Sequence, residues 1–218
     1  MPGSAIVTGA SSGIGRAIAL ELVDAGYDVT AAARRESDIP GAVSVRSDQS
    51  DPATPAALVA RHLERCGGLD VLVANAGVLI EEPLKDVTLE AWDTTFQLNA
   101  RSPFLLVQAA LPALRESAGL VVVVASQAGV DGMPGAPAYA ASKHAAIGLV
   151  QAIVQDENIR ATALCPGFVD TPMVADVPVA AERMIRPEDM ARAVRFLLDL
   201  SPVCVVEQIV VRRLRREA

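Results

Sequence analysis

Short apolar segments alternate with longer amphipathic segments along the whole chain, and this alternation predicts strands and helices in turn. Glycine, proline or acidic residues separate most of the segments, as is usual where a chain turns. Strands that alternate with helices form right-handed crossovers, which give a parallel sheet covered by helices on both faces. We therefore predict an α/β fold, a single domain over residues 1–218 with a doubly wound parallel sheet of about seven strands.

Individual elements follow from the same pattern. Asp51 is the predicted N-cap of the second helix, and Pro103 and Pro112 predict a bend or break in the long third helix. The predicted strands are Ser4–Thr8, Asp28–Ala33, Val43–Arg46, Leu69–Ala74, Leu120–Ala125, Ile159–Leu164 and Val203–Val211. The predicted helices are Arg16–Ala25, Pro52–Arg65, Thr88–Glu116, Ala138–Gln155 and Pro187–Leu200.

Composition narrows the class of protein. With 51% apolar residues the chain can bury a core, and its formal net charge of −7 argues against nucleic acid as a partner. The three cysteines show no disulfide or metal-ligand spacing, and no apolar run reaches the ~18–20 residues of a membrane span. We expect a cytoplasmic protein that binds no metal and acts on a small molecule. We interpret as a solvated tail the basic residues Arg212, Arg213, Arg215 and Arg216.

A glycine-rich turn follows the first predicted strand and precedes the first predicted helix. Glycine permits unusual φ angles and a close approach of the backbone to a ligand, and the N–H groups at a helix start favour a pyrophosphate. A tight βα loop alone would also explain the glycines, but their place at the first βα junction favours a dinucleotide cofactor. The residues of this predicted site are Gly9, Ser11, Ser12, Gly13, Ile14 and Gly15.

The end of the second strand bears on which cofactor binds. An acidic residue there would bind the ribose hydroxyls of NAD, but the sequence has Ala33 followed by Arg34 and Arg35. A guanidinium pairs well with the 2′-phosphate of NADP, so the sequence favours NADP over NAD, with Arg34 as the better candidate. The alternative is that both arginines are ordinary surface charges.

Tyr139 and Lys143 lie four positions apart in a predicted helix, so they share one face, one turn apart. A nearby ammonium lowers the pKa of a phenol, and this pairing suits proton transfer to a carbonyl or from an alcohol. Such a spacing also arises by chance. Ser126 strengthens the interpretation because it follows a buried strand, at the sheet edge where ligands bind. Asn99 lies within a predicted apolar helix, where an amide either acts in the site or bonds to backbone.

With these residues in place, the chain resembles the short-chain dehydrogenase/reductase family from end to end. The resemblance implies a Rossmann-type fold and an oxidoreductase that transfers a hydride between a nicotinamide and a carbonyl or alcohol. The matching pieces occur in the family's order: Thr8–Gly15, Asn75, Ala76, Gly77, Asn99, Ser126, Tyr139, Lys143, Pro166, Gly167 and Thr171.

The resemblance also implies roles for the catalytic residues. Tyr139 would be the general acid/base, and Lys143 would bind the nicotinamide ribose and lower the pKa of Tyr139. Ser126 would orient the substrate carbonyl, and Asn99 would anchor a water in a proton relay. The remaining cofactor contacts would be Asp48 at the adenine, Asn75, Ala76 and Gly77 beside the ribose, and Pro166, Gly167, Val169 and Thr171 at the nicotinamide.

The chain departs from the family pattern where Arg35–Ala42 is too short for the usual helix and where the segment after Lys143 is shortened. The second departure favours a homodimer over the usual tetramer.

A short substrate lid is expected at residues 170–186. The alternative to an enzyme is a non-catalytic NADP-binding sensor or scaffold. Side chains expected either to form an apolar substrate pocket or to pack in the lid and core are Gln127, Met133, Phe168, Met173 and Val174.

Overall fold

The computed structural model describes residues 3–175, 177 and 179–214 and contains one sheet of seven parallel strands. The strands are β1 Ser4–Thr8, β2 Asp28–Ala33, β3 Ala42–Arg46, β4 Val71–Ala74, β5 Leu120–Val124, β6 Arg160–Pro166 and β7 Gln208–Val211. The helices are α1 Gly13–Asp24, α2 Thr54–Cys66, α3 Leu89–Phe96, α4 Ser102–Ser117, α5 Ala128–Asp131, α6 Pro137–Glu157 and α7 Pro187–Asp199. Two short 3₁₀ turns lie at Pro172–Val174 and Ala181–Arg183. The predicted doubly wound parallel fold is confirmed.

The sheet is buried on both faces, and its apolar residues divide into two packed layers. Ile6 of β1 points into the layer formed with α2, α4 and α6, whereas its neighbours Ala5 and Val7 point into the layer formed with α1 and α7. Alternation of side chains along a strand explains this division. Because both faces are covered, the strands are continuously apolar, and β1, β4 and β5 have no partly exposed residue.

The strand order is β3-β2-β1-β4-β5-β6-β7, so the chain leaves β1 in one direction and returns to its other side with β4. Connections that diverge in this way open a crevice at the carboxyl ends of the strands. The glycine-rich turn follows β1 and the segment after β4 faces it, so the fold places both at this crevice.

The long predicted helix remains helical throughout, but its middle is wider than an α-helix. A π-helical segment at Gln97–Arg101 joins α3 to α4, with the N–H of Ser102 donating to the carbonyl of Gln97. Pro103 therefore falls in the first turn of α4, directly after the π-helical segment, and Pro112 is accommodated within α4. The expected irregularity takes the form of a widened turn, not of a break.

Several element boundaries differ from the prediction by a few residues, and the differences at α2 and β7 have clear causes. Helix α2 begins after Asp51, whose carboxylate accepts from the N–H of Ala53 at 2.9 Å, so Asp51 closes a turn before the helix and Ala53 is the N-cap. Strand β7 begins at Gln208 because only four residues pair with β6, although the apolar pattern starts at Val203. Within the residues that the structure describes, no helix is long and apolar enough to cross a membrane.

Candidate active site

A cleft of about 640 Å³ opens at the carboxyl ends of the central strands. It brings together three of the four predicted catalytic side chains, those of Ser126, Tyr139 and Lys143. Predicted cofactor residues that also line it are Ile14, Asn75, Gly77, Pro166, Gly167, Val169 and Thr171. The substrate-side residues Gln127, Met133, Phe168, Met173 and Val174 line it as well. Residues scattered over 160 positions of sequence therefore meet in one cavity.

The glycine turn forms the end of this cleft near β1. Gly9 and Gly13 adopt φ angles of +65° and +54°, which favour glycine, and a Cβ on Gly13 would lie 2.8 Å from Cγ2 of Thr171. The N–H of Ala10 donates to the carbonyl of Ala32 at 3.2 Å, which ties the turn to β2. Ser11 and Ser12 are exposed and Gly15 is buried at the start of α1. The turn therefore leaves room for a ligand that only backbone can approach, as a dinucleotide pyrophosphate requires.

Thr8 and Asn75 connect the ends of β1 and β4 beneath the turn. The Thr8 hydroxyl accepts from the N–H groups of Asn75 at 3.0 Å and Ala76 at 3.1 Å. The Asn75 amide donates to the carbonyls of Thr8 at 2.9 Å and Gly9 at 3.3 Å. These bonds hold the two strand ends at a fixed separation, so Asn75 and Ala76 support the shape of the turn.

Asn99 lies in the π-helical segment and is buried directly behind the cleft. Its Oδ1 accepts from the N–H of Val78 at 2.9 Å, and its Nδ2 donates to the carbonyl of Val78 at 2.9 Å and to Oγ of Ser142 at 3.0 Å. A Cβ on Gly77 would come within 2.8 Å of Asn99 Oδ1, so only glycine allows this approach. Asn99 thus fastens the segment after β4 to α6.

Ser142 is a positioning residue that the sequence interpretation passed over, although it lies between Tyr139 and Lys143. Its hydroxyl donates to the carbonyl of Tyr139 at 2.8 Å while accepting from Asn99, and it is fully buried. The first turns of α6 are therefore held against the π-helical segment. The signal available in the sequence was a serine three residues after the candidate tyrosine, a spacing that places both on one side of the helix.

Tyr139 is 8% exposed, and burial raises the pKa of its phenol above the usual value of 10.0. A hydrogen bond with the Ser126 side chain opposes this effect and lowers the pKa. Ser126 follows β5, and its Oγ also accepts from the N–H of Ala128 at 3.1 Å, which orients the side chain at the start of α5. The two hydroxyl groups that would share a substrate oxygen are therefore adjacent.

Lys143 is buried, and its Nζ donates to the carbonyl of Val124 at 2.8 Å. Burial lowers the pKa of this ammonium from 10.5 to about 8. Nζ lies 5.6 Å from the centre of the Tyr139 ring. We expected Lys143 to lower the pKa of Tyr139, but the group that does so in this structure is Ser126.

Arg34 and Asp48 follow β2 and β3 and lie outside the residues that line the cleft. Both are exposed. Hydrogen bonds from the backbone and hydroxyl of Ser50 lower the pKa of Asp48, and the charge of Arg34 lowers it further. The two predicted adenine-side residues are therefore close enough to interact, on the β2–β3 side of the glycine turn.

The expected lid is fixed at its base. Val169 pairs with Ile185, and the N–H of Ile185 donates to the carbonyl of Phe168 at 2.9 Å. Between these points the chain passes Met173 and Val174, which reach the cleft. The lid positions 176 and 178 lie outside the described residues.

The interpretation of the C-terminal arginines as a solvated tail is wrong for Arg212 and Arg213. β7 pairs with β6, and the Arg212 guanidinium then forms an ion pair with Asp131, with 3.0 Å between Nη2 and Oδ1. Both arginines line the cleft. Arg215 and Arg216 lie outside the described residues.

Comparisons with known proteins agree with this geometry. Residues 4–181 match the family model described as short chain dehydrogenase. An uncharacterized oxidoreductase of Staphylococcus saprophyticus is 29% identical over 95% of this chain and 96% of its own length. Among solved structures, an alcohol dehydrogenase from Thermococcus sibiricus complexed with 5-hydroxy-NADP superposes with a TM-score of 0.90 at 28% identity, covering 99% of both chains.

A third match is the 3-ketoacyl-(acyl-carrier-protein) reductase from Brucella melitensis complexed with NADH, with a TM-score of 0.87 at 25% identity and 96% coverage of both chains. The family model covers most of this chain, and the similar structures extend over nearly all of it. The fold, the cleft and these similarities lead to one assignment: the chain belongs to the short-chain dehydrogenase family of oxidoreductases.

Proposed function

We propose that the protein is an NADP-dependent oxidoreductase that interconverts an alcohol and a carbonyl group of a small substrate. The observation that carries the proposal is the meeting of Ser126, Tyr139 and Lys143 in one cleft, with Asn99 fixed behind them. A non-catalytic sensor or scaffold would need the cofactor cradle, but it would not need this set of polar groups.

A bound dinucleotide would lie along the line from the glycine turn to Lys143. Gly9, Ser11, Ser12, Gly13, Ile14 and Gly15 would hold the pyrophosphate, and Asn75, Ala76 and Gly77 would lie beside the ribose. Pro166, Gly167, Val169 and Thr171 would border the nicotinamide, and Asp48 would contact the adenine. When bound, the nicotinamide supplies or accepts the hydride.

NADP is the proposed cofactor because Arg34 offers a guanidinium where an acidic side chain would select NAD. The solved relatives do not decide the matter, since one was complexed with an NADP derivative and the other with NADH. The exposed Arg34 side chain is open to a 2′-phosphate, whereas the adjacent Asp48 carboxylate is occupied with Ser50.

Proton transfer falls to Tyr139. Ser126 and Tyr139 together would donate hydrogen bonds to the substrate oxygen, and Tyr139 would give its proton to that oxygen during reduction. A raised pKa keeps the phenol protonated at neutral pH, which suits its role as an acid. Such donors act strongly in a site from which water is largely excluded, and Tyr139 is buried there.

The substitution Tyr139→Phe tests this proposal. It keeps the ring and removes the proton donor, so turnover should fall by about 10²–10⁴-fold while NADPH affinity stays nearly unchanged. Tyr27→Phe is the matched control because Tyr27 is the other tyrosine of the chain and lies in the turn before β2. Near-normal turnover in Tyr139→Phe would contradict the mechanism. A wild-type protein that binds NADPH but is inert with a broad panel of ketones, aldehydes and alcohols would favour the sensor.

A further inference from the structure

The charged residues that line the cleft are all cationic. Among the residues that the structure describes they are Lys143, Arg212 and Arg213, and no carboxylate joins them in the lining. The chain as a whole carries a formal net charge of −7, so this accumulation runs against the overall charge. A cleft with one sign of charge attracts ligands of the opposite sign.

Two of the three cations are already engaged. Lys143 donates to the carbonyl of Val124 and lies behind Tyr139, and Arg212 is paired with the Asp131 carboxylate. Asp131 also accepts from Nε2 of Gln127 at 3.1 Å, which links Arg212 to the segment that carries Ser126. Arg213 is half-buried and forms no ion pair with any residue in the described part of the chain. It is therefore the cation left for a ligand.

The sheet fixes where Arg213 lies relative to the reacting groups. The N–H of Gln127 donates to the carbonyl of Pro166 at 2.8 Å, and the N–H of Gly167 donates to the carbonyl of Val211 at 2.8 Å. Ser126 and Arg213 thus follow β5 and β7, which are two strand spacings or about 10 Å apart, and both residues line the cleft.

A larger strand separation lies between Arg213 and the glycine turn, where the cofactor phosphates would bind. The glycine turn follows β1, which is four strands from β7 and thus about 19 Å away. Arg213 therefore leaves the sheet nearer to Ser126 than to a pyrophosphate held at the turn. The cleft that contains Arg213 and Ser126 is also lined by apolar side chains, among them Met133 and Phe168. Such a cavity fits a molecule with an apolar body and an anionic end.

We propose that Arg213 binds a carboxylate of the substrate, so that the cleft takes oxo acids and the corresponding hydroxy acids in preference to neutral carbonyl compounds. The proposal rests on the proposed function, because it names the substrate class of the same site. Arg213 acts here as a specificity residue, and the reacting carbon remains at Ser126 and Tyr139.

The experiment compares oxo acids with their methyl esters, in which a neutral ester group replaces the negatively charged carboxylate. Pyruvate, acetoacetate, levulinate and longer oxo acids are each assayed with NADPH beside the matching ester. Wild type should favour acids, and Arg213→Gln should lower kcat/KM for the best acid by about ten- to a hundredfold while changing that for its ester little. Arg213→Lys should retain part of the preference. Arg61→Gln, which removes an exposed arginine of α2 outside this cleft, should change neither value.

A binding measurement separates this proposal from the proposed function. Calorimetry should show that hexanoate binds the wild type and binds Arg213→Gln at least about tenfold more weakly, whereas hexanol binds both alike. An equal preference for acids in wild type and Arg213→Gln would overturn the specificity role and leave the oxidoreductase intact. If no compound is turned over but hexanoate binding depends on Arg213, the anion site stands and the proposed function fails. Equal hexanoate binding by both proteins would overturn the anion site itself.

Discussion

Replacing Lys143 with methionine should stabilise the protein at neutral pH while abolishing its activity. Lys143 is 5% exposed, and its pKa is lowered from 10.5 to about 8 because burial disfavours the charged ammonium. Methionine has a similar length and carries no charge, so Lys143→Met removes the burial penalty with little change in packing.

The magnitude follows from linkage between protonation and folding. A pKa lowered from 10.5 to about 8 means that the buried ammonium opposes folding by about 3 kcal/mol below pH 8. Because the unfolded chain holds the proton more tightly, this penalty disappears as the pH rises from about 8 to about 10.5. The lost hydrogen bond to the Val124 carbonyl costs about 1–2 kcal/mol. The net stabilisation at about pH 7 should therefore be about 1–2 kcal/mol, and it should reverse sign near pH 10.

The chain has two lysines, Lys85 and Lys143, which makes the measurement direct. Denaturant unfolding of wild type and variant across this pH range gives the difference in free energy, and Lys85→Met serves as the control because Lys85 is exposed. NMR of protein labelled at the lysine ε-carbon should show that Lys143 titrates near pH 8, well below the usual lysine value of 10.5. A stability difference that does not change with pH, or a Lys143 that titrates near its usual value, would refute the reasoning.

Three further outcomes follow from the site. Arg34→Ala should weaken NADPH binding about ten- to a hundredfold in calorimetric titration and leave NADH binding unchanged, and tighter binding of NADH by the wild type would contradict the cofactor assignment. Because the pKa of Tyr139 is raised above its usual value, alcohol oxidation should keep rising to pH values above 10 and carbonyl reduction should fall, and a pH-independent rate would contradict Tyr139 as the proton donor. The exposed Trp92 and Phe104 on α3 and α4 support a homodimer, so light scattering at micromolar concentration should give twice the mass of the chain.

The sequence was sufficient to predict the sheet, because the pattern of apolar residues is strong where strands are buried. β1 and β2 have the predicted bounds, since each is a run of small or branched residues bounded by turn residues. The position of Ser126 at the cleft also followed, because parallel strands bring their carboxyl ends to one edge of the sheet. The helical spacing of Tyr139 and Lys143 placed these two side chains together, and the family resemblance implied that they meet Ser126.

Features that depend on distant partners could not be inferred in the same way. From the sequence alone, the C-terminal arginines are interpreted as solvated. Their actual position depends on the pairing of β7 with β6 and on Asp131, which lies 81 residues before Arg212 and pairs with it. The spacing of Tyr139 and Lys143 predicts a shared helix face, but the carbonyl of Val124 that receives the ammonium comes from another element. The π-helical turn at Asn99 likewise depends on the backbone of Val78.

The widened turn at Gln97–Arg101 also constrains how this site tolerates insertions and deletions. Each residue of an α-helix rotates the next by about 100°, so deleting one residue here to restore an α-helix would turn everything before it by that angle relative to α4. The side chains of Ala91 and Thr95 would then leave the buried face while Leu106 and Leu114 remained on it. The extra residue thus sets the rotational phase between the two halves of the helix, and a length change at this point would separate Asn99 from Val78 even if every side chain were kept.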